Sequence, residues 1–61
     1  MTRQQAIKNA TRLYRLTGED YFVVYEPDEN GPYHVASDSD LDTWFQGISD
    51  NDIVFATADY Q

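Results

Sequence analysis

The chain has 61 residues, no cysteine and a formal net charge of −7. That length allows one small domain, which buries only about 60% of the surface it exposes when unfolded. The absence of cysteine excludes disulfide staples and zinc–thiolate sites.

Arg3, Lys8, Arg12 and Arg15 are the only Lys and Arg residues, whereas all 11 carboxylates lie between Glu19 and Asp59. With so little length the core must rest on packing, and the nine aromatic residues are expected to supply most of it. Dimerisation is a second route to stability at this size. No apolar run approaches a membrane span and no signal-peptide pattern opens the chain, so a soluble, cytoplasmic protein is expected.

Residues 3 to 17 read as an amphipathic helix. Ala6, Ala10, Leu13, Tyr14 and Thr17 recur at helical spacing, with Ile7 at the edge of that face. Lys8, Arg12 and Arg15 line the opposite side. Thr2 is the expected N-cap, and Gly18 the residue that takes the left-handed turn at the C-terminus.

Tyr21 to Glu26 reads as a strand rich in aromatic and β-branched residues. Pro27 to Pro32 reads as a turn somewhat longer than the two-residue minimum, and Tyr33 to Ser37 as the returning strand. Ser37 to Asp42 announces a second helix, with Ser39 and Asp42 as its capping pair, Leu41, Trp44 and Phe45 as its apolar stripe and Gly47 as its stop. Ser49 to Asp52 reads as a loop and Ile53 to Ala58 as a third strand. Tyr60 and Gln61 are expected to fray. The order α-β-β-α-β implies a single α+β domain, a three-stranded antiparallel sheet with helices packed on one face.

Little here suggests catalysis. His34 is the only histidine, and its strand position suits a partly covered side chain better than a base. Nucleophile-elbow and phosphate-loop motifs are missing. Asp38, Asp40 and Asp42 alternate like calcium ligands, but Thr43 stands where the calcium loop needs glycine. Carboxylates at a helix start are already explained by the helix dipole. No enzyme, metal or cofactor is therefore expected.

The remaining acidity points to a partner. Glu26, Asp28, Glu29, Asp38, Asp40, Asp42, Asp50 and Asp52 are expected to converge into one negative patch that stands in for phosphates, with Trp44 and Phe45 as apolar anchors. An acidic, lysine-poor surface also suits a high-salt host, which accounts for the total charge better than for its segregation. Alternatively, Lys8, Arg12 and Arg15 form a face that could contact nucleic acid directly, although the net charge opposes this. A structural or assembly role, with a homodimer formed through strand edges or the aromatic surface, is a third reading.

The run Ser39-Asp40-Leu41-Asp42-Thr43-Trp44-Phe45-Gln46-Gly47, followed by Ser49-Asp50-Asn51-Asp52-Ile53-Val54-Phe55, resembles the second half of a family of small acidic phage proteins that inhibit uracil-DNA glycosylase. The resemblance covers the C-terminal two-thirds of the chain. It implies a dimeric DNA mimic that occupies the DNA groove of a host enzyme and receives an apolar side chain of that enzyme in a pocket. By position, Asp42 would match the family's helix carboxylate, Phe45 its helix aromatic ring and Leu41 the apolar position before them. Gln46 is an extra residue before the glycine, and the basic N-terminal helix has no counterpart in that family.

Overall fold

The computed structural model describes residues 1–29, 31–43 and 47–59, with their side chains except those of Asp28, Asp50 and Asp59. Four expectations, the anchors Trp44 and Phe45 and the frayed Tyr60 and Gln61, lie outside the described residues.

Helix α1 spans Arg3–Thr17. The Thr2 hydroxyl accepts from the Gln5 backbone N–H at 3.2 Å, and Gln5 Oε1 accepts from the Thr2 N–H at 3.0 Å. These two bonds close a capping box around donors that a helix start otherwise leaves unpaired. Gly18 ends the helix at φ 76, donating its N–H to the Tyr14 carbonyl at 2.8 Å. Only glycine takes that left-handed conformation without steric cost. Thr17, expected on the buried face, is exposed. Its hydroxyl donates to the Leu13 carbonyl and accepts from the Glu19 N–H, so it serves the helix end.

Strands β1 (Tyr21–Asp28), β2 (Gly31–Ser37) and β3 (Ile53–Ala56) form one antiparallel sheet in the order β2-β1-β3. The hairpin is tighter than expected, because both strands extend into the presumed turn. The register runs from Tyr21↔Ser37 to Tyr25↔Tyr33, then resumes at Asp28↔Gly31 after an irregularity. Glu26 and Pro27 thus face Pro32 alone. A bulge tolerates residues that cannot donate to the ladder, so the prolines sit within strands instead of ending them.

Helix α2 spans Asp38–Thr43 and contacts β2. Its cap lies two residues earlier than expected. Ser37 Oγ accepts from the Asp40 N–H at 3.2 Å, and Asp40 Oδ2 accepts from the Ser37 N–H at 3.1 Å. Ser37 is the last residue of β2, paired with Tyr21. The helix begins where that ladder stops, which selects Ser37 and Asp40 over the identically spaced Ser39 and Asp42. A 3₁₀ turn at Asp50–Asp52 leads into β3, with the Ser49 carbonyl accepting from the Asp52 N–H.

The fully buried residues are small. Ala6 and Ala10 of α1 meet Val23 of β1, with Ile7, Tyr21, Tyr33, Val35, Val54 and Phe55 packed around them. Alanines one turn apart let the helix approach the sheet closely, and the rings surround that contact instead of filling it. Tyr25, expected to help form the core, is 41% exposed and stacks edge-on against Tyr33 at 5.4 Å. Alternation along β1 and β2 places Val24 and Ala36 on the face away from α1. Both are also fully buried, so the sheet is covered on its two sides there.

Strand β3 is shorter than expected because Thr57 turns away into a 3₁₀ turn at Thr57–Asp59. Thr57 is 2% exposed. Its hydroxyl accepts from the Tyr21 N–H at 2.9 Å, with the Asp20 carboxylate at 3.2 Å and the Tyr21 carbonyl at 3.3 Å as acceptors for its own proton. One side chain thereby fastens the end of the chain to the start of the central strand.

Two outcomes are expected in urea denaturation. Thr57→Val removes that hydroxyl from a buried site and costs about 1–3 kcal/mol, whereas Thr57→Ser keeps most of the stability. Ser37→Ala costs about 1 kcal/mol, and Ser39→Ala costs far less because Ser39 caps nothing. Equal losses at the two serines would remove the assigned cap.

Candidate functional site

The antiparallel order sorts the carboxylates. Glu19 and Asp20 precede β1, and the pairing of Tyr21 with Ser37 brings Asp38 beside them. An open cleft of about 300 Å³ lies there, lined by Gly18, Glu19, Asp20, Ser37, Asp38 and Ser39. Glu19, Asp20 and Asp38 are all exposed. Asp40 belongs to this end of the sheet and is half-buried, with one oxygen committed to the α2 cap.

At the other end, Glu26, Asp28 and Glu29 occupy the hairpin. Because Ile53 pairs with Val24, Asp52 and the turn containing Asp50 approach β1 from the hairpin side. Six residue steps of extended chain lead from Asp20 to Glu26, a span of about 20 Å at 3.3 Å per residue. The expected single patch is therefore two groups, at opposite ends of a body 27 Å long. The reason is topological: residues that flank a strand must leave it in opposite directions. Asp42 is exposed on α2.

Lys8, Arg12 and Arg15 form a group of their own on α1. Lys8, Arg12 and Arg15 are exposed and line, with Ile7 and Thr11, an open groove of about 430 Å³ along α1. Among the described residues, no Lys or Arg side chain pairs with a carboxylate. The Thr11 hydroxyl donates to the Ile7 carbonyl at 2.9 Å, so the polar lining of the groove is largely cationic.

His34 is half-buried in β2, and its Nε2 donates to the Glu26 carbonyl at 2.9 Å. It serves the hairpin. Among the described residues, no group of three or more His, Asp or Glu side chains is placed to hold a metal ion. Among the same residues no helix is long and apolar enough to cross a membrane.

Thr57 is the residue that sequence reasoning missed. Its partners lie 36 and 37 positions away, and a threonine after a short apolar run carries no local mark of that role.

Comparison with protein-family models, with curated proteins and with solved structures finds no match for this chain.

Carboxylates crowded at two ends, with no Lys or Arg side chain paired to them among the described residues, repel one another in the folded state. Raising NaCl from about 10 mM to about 500 mM shortens the screening length and should raise the melting temperature by several degrees. A falling melting temperature, read by circular dichroism, would mean that attractive pairs dominate instead.

Proposed function

We propose that this is a small acidic phage-type interaction protein that inhibits a host DNA-handling enzyme by presenting carboxylates where the enzyme expects phosphates. Uracil-DNA glycosylase is the first target to test, on the resemblance of the segment from Ser39 to Phe55. The observation that carries the reading is the lack of neutralisation at the two ends: among the described residues, no arginine or lysine side chain of α1 forms an ion pair with Glu19, Asp20, Asp38, Glu26 or Glu29.

Charge density supports it. Eleven carboxylates on a body 27 Å long amount to about one per 2.5 Å. Duplex DNA carries about one charge per 1.7 Å of axis, and a single strand about one per 3.4 Å. The two acidic ends, about 20 Å apart, would span roughly six nucleotides of one strand. A basic groove would draw such a body in by long-range attraction, which sets the rate and salt sensitivity of capture. Lasting affinity needs an apolar contact as well. Leu41 of α2 is half-buried, and the segment that follows it holds Trp44 and Phe45.

The test is inhibition of uracil excision, with DNA as competitor. Inhibition should weaken at least about tenfold between 50 mM and 200 mM NaCl and be relieved by added duplex. The pair Glu26→Gln and Glu29→Gln, set against Glu19→Gln and Asp38→Asn, identifies which end enters the groove. Binding that ignores salt, DNA and both pairs of substitutions would end the mimicry reading for that enzyme.

A further inference from the structure

Two surfaces of this chain match each other in charge and form no ion pair with each other among the described residues. The α1 groove presents three exposed cations, Lys8, Arg12 and Arg15. The cleft at the start of β1 presents three exposed carboxylates, Glu19, Asp20 and Asp38. Arg15 is only a few residues from Glu19, yet Gly18 turns the chain away at φ 76 and none of the three cations has a carboxylate partner among the described residues. Leu16, 73% exposed, continues the row of Lys8 and Arg12 at the next i+4 position. The helix flank thus offers charge together with an apolar contact.

We propose that the cationic flank of α1 on one copy docks into the acidic cleft of a second copy, head to tail. The proposal is independent of the inhibitor reading, and it uses a helix that has no counterpart in the resembling family. Nucleic acid fits the groove less well. Among the described residues no aromatic side chain lines it to stack bases, and the rest of the body repels phosphates. A second copy supplies the complementary charge directly. The like net charge of the two copies opposes their approach, but at about 0.1 M salt the Debye length of about 10 Å damps that repulsion across a 27 Å body more than it damps contacts at the interface. Because the two docking surfaces differ, the contact is heterologous and generates a ring or an open chain instead of a closed two-fold pair.

Sedimentation equilibrium of the full chain tests this. At about 0.1 M NaCl the average mass should climb above 7.1 kDa with concentration, and at about 1 M NaCl association should weaken about tenfold or more. Lys8→Glu with Arg12→Glu should hold the chain monomeric, as should Glu19→Lys with Asp38→Lys. An equimolar mixture of the two charge-reversed proteins should associate again, because each then carries what the other lacks. Circular dichroism confirms that each variant keeps its fold, and Lys8→Gln with Arg12→Gln replaces the first if it does not. Asp20 is left intact because it bonds Thr57. A wild-type chain that stays monomeric up to about 1 mM overturns the proposal. So does self-association that both charge reversals leave unchanged, or a mixture that fails to reassociate. A monomeric chain that retards single-stranded DNA through Lys8 and Arg12 also overturns it, in favour of phosphate as the occupant.

Discussion

Val23 sits at the centre of the molecule, paired with Val35 on one side and Phe55 on the other, and covered by Ala6 and Ala10 of α1. Among the described strands β1 alone has neighbours on both edges, so the other strands are positioned by their relation to it. The helix approaches closely because its contact residues are alanines. The end of the chain returns to β1 through the Thr57 hydroxyl, which takes the Tyr21 N–H. In a domain with so few fully buried side chains, one satisfied buried hydroxyl is a large share of what orders the sheet.

That dependence on β1 also arranges the charge. Sequence order alone places the cations first and the carboxylates after them. The antiparallel pairing then sends alternate loops to alternate ends of the sheet. Glu19, Asp20 and Asp38 gather at one end, Glu26 and Glu29 at the other, and Lys8, Arg12 and Arg15 keep to the flank of α1. The charges are sorted three ways: two negative ends and a positive side. A partner with a basic groove meets one arrangement, and a second copy of the chain meets another.

Local features were legible in the sequence where local forces decide them. The bounds of α1, its Thr2 cap and its Gly18 stop follow from residues within a turn of each other. The α+β class, the strand count and the antiparallel hairpin follow from period and order. What the sequence left open was decided by distant pairing. Ser-Asp-Ser-Asp offers two capping frames two residues apart, and the choice rests on where Tyr21 pairs. Pro27 and Pro32 read as turn residues until a bulge gives each a place in a strand. The carboxylates of the candidate site were visible as a list, but their division into two ends needs the strand order. Thr57 had no signal at all, because its partners are at the far end of the chain. Trp44 and Phe45 lie outside the described residues.

The edges of the sheet carry a consequence for handling the protein at high concentration. Strand β3 has four residues, and β2 has Pro32 near its start. Neither offers a long, regular row of free backbone groups on which another strand could be templated. Fibrillar growth, the usual hazard of small sheets with a bare margin, is therefore blunted at both borders by brevity on one side and by a missing N–H on the other.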